Sequence, residues 1–170
     1  WYTCACCPPN VVRLLMSLGE YLWSETEDGV YSHIPAGTEA HFDKMDVTVE
    51  SNYPWDGRVT YHITGKTEEE TILGIHIPSW VRPGSVQVRI NGKVKDITAD
   101  VEKGYLILKR VWENDEVELV FPMKIRKIYA NLKVREDAGC VAFMRGPMVY
   151  CFEGVDNPGL LQSYHIFEDA

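Results

Sequence analysis

Residues 86–92 read Val86-Gln87-Val88-Arg89-Ile90-Asn91-Gly92, and this stretch gives the clearest indication of the fold. Apolar and polar side chains alternate up to Ile90, which is the period of a β-strand with one buried face. The dipeptide Asn91-Gly92 is then the turn most typical of a two-residue β-hairpin. The stretch therefore predicts an antiparallel pair of strands.

The same period of two recurs on both sides of this hairpin. Further strands are predicted at 47–50, 59–63, 71–77, 105–108, 117–121, 124–129, 141–144 and 148–152, with turn residues between them. Many short strands of this kind predict a mainly β protein, an antiparallel β-sandwich of jelly-roll-like type. Pro122 marks the expected boundary between a β-sandwich at 29–122 and the start of a second, truncated β-sandwich at 123–170.

Residues 1–28 have a different period. Pro8 and Pro9 suit the first turn of a helix, where a missing N–H is not needed. One apolar face at helical spacing follows, made of Val11, Leu15, Leu18 and Leu22. Further apolar residues widen this face, so we expect the helix to be covered on more than one side and to end in the acidic segment 25–29. One α-helix is therefore expected before the sandwich.

Composition limits the class of protein. The chain has 170 residues, of which 45% are hydrophobic and 25% charged, as in ordinary globular proteins. Its net charge of −8 argues against nucleic acid or an anionic membrane as a partner. No run of apolar residues is long enough to predict a transmembrane helix.

The start of the chain, at Trp1, carries no initiator Met and no signal peptide from which a localisation could be predicted. We therefore expect a piece of a longer protein, cut at the front and at the back. A mature protein after processing is the alternative.

The most unusual chemistry in the sequence is a cluster of cysteines at 4, 6 and 7, written Cys4-Ala5-Cys6-Cys7. Thiolates are good zinc ligands, and a helix that begins just after Cys7 favours the thiolate through its dipole and unpaired N–H groups. The cluster can thus be a metal site, a nucleophile or both, or simply a group of small buried residues. A disulfide between Cys6 and Cys7 is disfavoured by strain. Cys140 and Cys151 are expected to be structural, and a disulfide between them is left open.

Several motifs together carry a family resemblance. They are Ala5-Cys6-Cys7-Pro8-Pro9-Asn10, Tyr53-Pro54-Trp55-Asp56-Gly57, Ile77-Pro78-Ser79-Trp80, Gly104-Tyr105-Leu106 with Arg110-Val111-Trp112, and Arg145-Gly146-Pro147-Met148-Val149-Tyr150. In order and spacing, the chain resembles the bacterial β-L-arabinofuranosidase family of glycoside hydrolases from Trp1 to about Asn157. The resemblance implies that residues 1–28 are the last helical segment of a catalytic (α/α)6 barrel that lies mostly upstream.

The resemblance also implies a mechanism of retaining hydrolysis with a zinc-bound cysteine nucleophile. Cys6 corresponds to the nucleophile, which zinc also holds, and Cys7 corresponds to a zinc ligand; the family gives no role to Cys4. The other zinc ligands and the acid/base glutamate would lie upstream. The expected substrates are β-L-arabinofuranosyl or similar pentose units of plant glycans. We therefore expect the isolated 170 residues to be inactive and to bind metal weakly or not at all.

Two other functions compete with this one. A non-catalytic carbohydrate-binding sandwich would use Trp55, Trp80 and Trp112 as a sugar-stacking platform, whereas core packing is the ordinary role of such residues. A structural accessory domain would show an exposed apolar helix face, and a homodimer through this face is the further possibility. His62 and His76, on predicted strands, are a further candidate pair, and His33 and His41 are scattered.

Overall fold

The computed structural model describes residues 5–166, in which strands outnumber helices as regular secondary structure. The chain divides into two compact units, Trp1–Pro122 and Met123–Ala170. The first unit contains two α-helices followed by the strands of a sandwich. The second contains a small sheet.

Two helices precede the strands: α1 (Cys7–Met16) and α2 (Gly19–Leu22). The strands of the first unit are β1 (Trp23–Thr26), β2 (Gly29–Ser32), β3 (Thr38–His41), β4 (Asp46–Ser51), β5 (Arg58–Thr64), β6 (Thr71–His76), β7 (Gln87–Ile90), β8 (Lys93–Lys95), β9 (Val101–Glu102), β10 (Tyr105–Arg110) and β11 (Glu116–Val120). The strands of the second unit are β12 (Ile125–Ile128), β13 (Ala142–Arg145) and β14 (Met148–Tyr150). Short 3-10 helices lie at Pro83–Ser85, Arg135–Asp137 and Leu161–Ser163.

The strands of the first unit form two sheets. One is five-stranded, in the order β1-β2-β6-β10-β9, and the other is six-stranded, in the order β3-β4-β5-β11-β7-β8. The hairpin predicted at Asn91-Gly92 is present as the antiparallel pair β7–β8, in which Ile90 lies opposite Lys93. The mainly β, antiparallel fold predicted from the sequence is thus confirmed.

One strand pair departs from the antiparallel rule. Strand β2 runs parallel to β6, with Gly29 opposite Ile72 and Tyr31 opposite Gly74. Between these two strands the chain crosses to the other sheet, where it forms β3, β4 and β5, and then returns. Parallel neighbours require such a crossover connection, and a tight hairpin cannot supply it.

The core lies between the two sheets and follows the period-two pattern of the sequence. Val59, Tyr61 and Ile63 of β5 are buried, whereas Thr60 and His62 between them are only partly buried. The inward faces of β2, β4, β6, β7, β10 and β11 join them in a single cluster. Burial raises the pKa of Tyr61, whose hydroxyl lies 3.0 Å from Ser32 Oγ on the opposite sheet. That hydrogen bond satisfies two polar groups at the centre of the sandwich.

The N-terminal helix is shorter than the sequence pattern predicts. Helix α1 ends at Met16, and the single turn of α2 ends at Leu22, well before the acidic segment 25–29. Residues Trp23–Thr26 instead form β1, which pairs with β2 across the turn at Glu27 and Asp28. Because these residues gain a complete ladder of backbone hydrogen bonds in the sheet, tertiary pairing overrides the local preference for helix.

The close approach of β2 to β6 depends on glycine. A side chain at Gly29 would place its Cβ 2.1 Å from the carbonyl oxygen of Ile72, and Gly29 has a φ of +155°, which L-residues rarely adopt. We expect Gly29→Ala to lower the free energy of unfolding by about 3 kcal/mol, because the two backbones must separate. Urea unfolding followed by tryptophan fluorescence measures this loss. Gly84→Ala is the matched control, since nothing lies within 4 Å of its added Cβ; equal stability of the two variants would contradict the prediction.

The second unit is built on a three-stranded antiparallel sheet in the order β12-β13-β14. Strands β13 and β14 form a hairpin in which Arg145 lies opposite Met148. After β14 the rings of Phe152 and Tyr164 stack, with centroids 5.7 Å apart. In residues 5–166 of both units, no helix has the length and apolar character needed to cross a membrane.

Candidate functional site

The cysteine pair lies at the start of α1. Cys6 is the N-cap residue, with φ −70° and ψ −38°, and Cys7 is the first helical residue. Pro8 and Pro9 follow in the first turn, where their fixed φ suits the helix. The helix start predicted at these prolines is confirmed.

The prolines change the electrostatics expected at this helix end. The first four N–H groups of a helix have no partner within it, and here they belong to residues 6–9. Pro8 and Pro9 have no N–H, which leaves only the N–H groups of Cys6 and Cys7. The support that we expected for a thiolate from the whole first turn is therefore reduced to two N–H groups and the helix dipole.

The two thiols are exposed and adjacent in space. Their Sγ atoms lie 3.5 Å apart, well beyond the length of about 2.05 Å of a disulfide bond. Two thiolates bound to one tetrahedral zinc ion, each at about 2.3 Å, would have their sulfurs about 3.8 Å apart. Cys6 and Cys7 thus fit one edge of a tetrahedral zinc site. Within residues 5–166, no group of three or more metal-ligating side chains is present, and Cys4 lies outside the described residues.

Two side chains of α1 reach back to the cysteine pair, and sequence reasoning missed both. Asn10 Nδ2 donates a hydrogen bond to the Cys6 carbonyl at 2.8 Å, and Arg13 Nη1 donates one to Asn10 Oδ1 at 2.7 Å. Their spacing of four and three residues puts the three positions on one helix face. This spacing, and the place of Asn10 in the motif that begins at Ala5, are the signals in the sequence that could have pointed to them.

The helical segment presents apolar side chains to the surface of the described chain. The exposed residues are Val11, Val12, Leu14, Leu15, Met16, Leu18 and Tyr21, whereas Leu22 is buried. The predicted covering of α1 on more than one side is therefore not seen in this chain. An exposed apolar helix face is the feature expected of an element that packs against another domain.

The tryptophans expected for a sugar-stacking platform do not form one. Trp112 is completely buried in the sandwich core, with Nε1 donating to the Thr71 carbonyl at 2.8 Å. Trp80 is partly buried against the same core, 6.2 Å from the ring of Phe121. Trp55 alone of the three is largely exposed. The core-packing interpretation is thus correct for Trp112 and Trp80.

The histidines do not form the candidate pair. His62 lies on β5 of the six-stranded sheet and His76 on β6 of the five-stranded sheet, so the two belong to opposite layers of the sandwich. Sequence order does not show that the chain changes sheets between these strands. The nearest carboxylates to His62 belong to Glu50 and Glu116, at 3.6 and 3.8 Å.

His33 has a structural environment. Its Nδ1 lies 2.7 Å from the hydroxyl of Tyr105, and its Nε2 lies 2.9 Å from Ser24 Oγ. Burial lowers the pKa of His33, and the neighbouring His76 lowers that pKa further. A neutral imidazole donates through one nitrogen and accepts through the other, so both of these contacts can be satisfied together. The side chain thereby links β1, the end of β2 and β10.

The sequence predicts that Cys140 and Cys151 are structural residues. In the structure, both are exposed free thiols. Cys140 precedes β13, Cys151 follows β14, and no disulfide joins them. Strand β13 begins one residue later than predicted and β14 ends two residues earlier, so Cys140 and Cys151 lie outside both strands. They therefore offer comparison thiols outside the cysteine pair.

Three aspartates stabilise turns through local hydrogen bonds. Asp56 accepts from the N–H of Arg58. The buried carboxylate of Asp115 accepts from the N–H of Glu113 and from Asn91 Nδ2. Hydrogen bonds from the side chain and then the backbone of Thr98 lower the pKa of Asp96. Asp56 and Asp115 thus have structural roles in turns.

Comparison with known families matches almost the whole of the strand region. Residues 29–123 match the middle domain of beta-L-arabinofuranosidases of glycoside hydrolase family 127, GH127. Residues 125–170 match the C-terminal domain of the same family.

Individual relatives agree with this match. A non-reducing end beta-L-arabinofuranosidase of Bifidobacterium longum subsp. longum is 39% identical over 173 aligned residues, which cover 98% of this chain and 26% of the relative. The crystal structure of a GH127 beta-L-arabinofuranosidase from Geobacillus stearothermophilus T6 superimposes with a TM-score of 0.82 and 43% identity, over 92% of this chain and 25% of that one. Another GH127 beta-arabinofuranosidase superimposes with a TM-score of 0.82 and 37% identity, over 93% of this chain and 28% of that one.

The chain spans about a quarter of the length of these relatives. The cysteine pair lies before the first family match, which starts at residue 29, but inside the stretch that is similar to the Bifidobacterium enzyme, since the alignment leaves out only 2% of the chain.

Proposed function

Because this chain belongs to glycoside hydrolase family 127, we propose that the full-length protein is a retaining glycoside hydrolase that removes β-L-arabinofuranosyl or similar pentose units from plant glycans. The observation that carries the chemical part of the proposal is the pair of exposed thiols, 3.5 Å apart, at the N-terminus of α1. Three relatives named as arabinofuranosidases support the choice of sugar.

In this proposal Cys6 is the nucleophile. Its thiolate attacks the anomeric carbon, so that a sulfur–carbon bond forms as the glycosidic carbon–oxygen bond breaks. The departing oxygen takes a proton from a glutamic acid that the family resemblance places upstream of this chain. Water then attacks the same carbon, gives its proton to that glutamate and releases the Cys6 thiolate. Two displacements return the configuration of the sugar to the starting one.

Cys6 and Cys7 would hold a zinc ion together with ligands from outside this chain. Zinc would keep the Cys6 sulfur ionised at neutral pH, because a thiol that coordinates zinc is deprotonated. The chain itself presents both sulfurs at the end of a helix whose dipole favours negative charge. Pro8 and Pro9, which follow the two cysteines in the chain, restrict the backbone of the first helical turn.

The sandwich is proposed to act as a scaffold for the barrel. The exposed apolar residues between Val11 and Tyr21 form one face of α1 and α2 and favour this second role. Such a face is expected to be covered by another domain. The scaffold role is compatible with the enzymatic role, since the same helix carries the cysteine pair. A homodimer through this face is the competing use of it, and size-exclusion chromatography of the full-length protein separates the two.

The test of the proposed function is hydrolysis of an aryl β-L-arabinofuranoside by the full-length protein, with NMR detection of the first anomer released. We expect hydrolysis and an initial product of β configuration, because the mechanism has two displacements. The aryl α-L-arabinofuranoside is the matched control and should not be hydrolysed. An initial α product would exclude a covalent cysteine intermediate, and activity on a different pentoside alone would show that the proposed sugar is wrong.

The isolated 170 residues should be inactive on the same substrate. They contain the proposed nucleophile but not the acid/base glutamate or the remaining zinc ligands. General acid–base catalysis alone contributes about 10²–10⁴-fold to such reactions. Activity of the isolated chain within tenfold of the full-length enzyme would contradict the assignment of those groups to the upstream barrel.

A further inference from the structure

The peptide group between Cys6 and Cys7 is held by side chains from the next turn of α1. Asn10 Nδ2 donates to the carbonyl oxygen of Cys6 at 2.8 Å. Arg13 Nη1 in turn donates to Asn10 Oδ1 at 2.7 Å. Helical side chains point back toward the N-terminus, which is why residues four and seven positions further along can form this chain of contacts.

The orientation of that peptide group matters to both sulfurs. A peptide bond is planar, so the position of the Cys6 carbonyl fixes the plane that joins the two Cα atoms. The directions of the two Cα–Cβ bonds, and with them the 3.5 Å separation of the Sγ atoms, depend on this plane. A rotation of the plane would separate the sulfurs without any change in the side-chain rotamers.

The Cys6 carbonyl receives a side-chain donor in addition to the helix backbone. An N-cap carbonyl accepts the first backbone bond of its helix, and Asn10 adds a second donor to that oxygen. The N-cap residue Cys6 makes no side-chain capping hydrogen bond. The amide of Asn10 therefore contacts this helix end through a carbonyl oxygen, whereas a capping side chain would accept from a free N–H.

Arg13 determines which way the Asn10 amide faces. A guanidinium group only donates hydrogen bonds, so it must meet the amide oxygen and not the amide nitrogen. The nitrogen is thereby directed to the Cys6 carbonyl. A reversed amide would place two oxygens against each other.

We propose that Asn10 and Arg13 are positioning residues for the Cys6–Cys7 pair, which they hold in the arrangement that lets one sulfur attack the sugar while both face the same metal ion. The effect on catalysis rests on the proposed function, in which Cys6 is the nucleophile. The effect on the orientation of the two thiols does not depend on that function.

The test uses the full-length enzyme and the variants Asn10→Ala, Asn10→Asp, Arg13→Ala and Arg13→Lys. We expect Asn10→Ala to lower kcat about tenfold or more with KM within about twofold, because the nucleophile and not sugar binding is disturbed. Asn10→Asp should behave alike, since a carboxylate still meets Arg13 but cannot donate to the Cys6 carbonyl. Arg13→Ala should lower kcat by a smaller factor, and Arg13→Lys should restore it because lysine still donates.

Ser17→Ala is the matched control. Ser17 also bonds a backbone carbonyl of α1, that of Arg13, at 3.1 Å, but it lies at the far end of the helix. It should leave kcat within about twofold of the wild type, since Ser17 is at the end of the helix away from the cysteine pair and is not buried. A loss in this variant equal to that of Asn10→Ala would show that helix stability, and not thiol orientation, is responsible.

A second readout does not depend on activity. In protein freed of zinc with a chelator, iodoacetamide labels Cys6 and Cys7, and peptide mass spectrometry gives the ratio of the two products. We expect Asn10→Ala to change this ratio about threefold or more, and Ser17→Ala to leave it unchanged, because thiol reactivity follows local environment and access. An unchanged ratio in Asn10→Ala overturns the proposal, whatever happens to kcat. If Cys6→Ser proves active, the proposed function fails, and the labelling ratio alone decides the positioning role.

Discussion

Replacing Cys6 by serine in the full-length enzyme should lower kcat for the aryl β-L-arabinofuranoside by about 10³-fold or more, as the loss of a catalytic nucleophile does elsewhere. The structure places the Cys6 thiol, exposed, at the N-cap of α1. A serine hydroxyl ionises far less readily than a thiol and is a poorer zinc ligand. The measurement is steady-state kinetics, with the zinc content of each protein determined in parallel.

The controls for this prediction come from the chain itself. Cys140→Ser and Cys151→Ser remove exposed free thiols in the second unit and should leave kcat unchanged. Cys7→Ser should lower both the zinc content and kcat, because Cys7 is proposed to hold the metal. Zinc content then separates the loss of attack from the loss of the ion. A Cys6→Ser enzyme that binds zinc and retains wild-type kcat would return the cysteine pair to a structural role.

Replacing Trp112 by alanine should lower the free energy of unfolding of the sandwich by about 4–5 kcal/mol. The side chain is completely buried, and its Nε1 satisfies the Thr71 carbonyl at the start of β6. The backbone N–H of Trp112 also donates to Thr67 Oγ1 at 2.9 Å, so the residue joins the segment after β10 to the segment before β6. Since domains are stable by only about 5–15 kcal/mol, this loss would bring the sandwich close to unfolding.

Trp112→Phe separates packing from hydrogen bonding. Phenylalanine keeps most of the buried ring but removes the hydrogen bond from Nε1 to the Thr71 carbonyl, which we expect to cost about 2 kcal/mol. Urea unfolding of both variants, followed by circular dichroism, gives the two values. A loss below about 1 kcal/mol in Trp112→Ala would contradict the central role of this ring in the core.

The sequence predicts a strand where its alternation is long enough to define two faces. Strands β4, β5 and β11 have this pattern and were predicted, because each has at least two buried side chains at period two. Strands β1, β2, β3 and β9 were missed. All of these have four residues or fewer, and all except β2 are edge strands, where one face gives no clear signal. The parallel pairing of β2 with β6 was also missed, because it depends on a crossover between sheets.

The candidate site was predictable only in part. Two adjacent cysteines before two prolines are an unusual motif, from which the sequence alone indicates a candidate nucleophile or metal site. The contacts of Asn10 and Arg13 depend on side-chain rotamers, which the sequence does not show directly. The loss of N–H donors at Pro8 and Pro9 could have been inferred from the sequence, but the helix boundary had to be known first. The alternative of a sugar-stacking platform is not supported, because Trp112 and Trp80 pack in the core, which is the ordinary role of such residues.

The chain passes from the cysteine pair into the sandwich without a flexible linker. Only Ser17 and Leu18 separate α1 from α2, and β1 begins directly after Leu22, whose carbonyl accepts a hydrogen bond from the His33 N–H at 2.8 Å. A hinge requires residues whose backbone angles are free to change, and nearly all residues of this segment are fixed by helix or sheet. The proposed nucleophile is therefore joined to the five-stranded sheet by a short segment of helix. Heat inactivation of the full-length protein should accordingly begin when that sheet unfolds, before the proposed catalytic barrel unfolds.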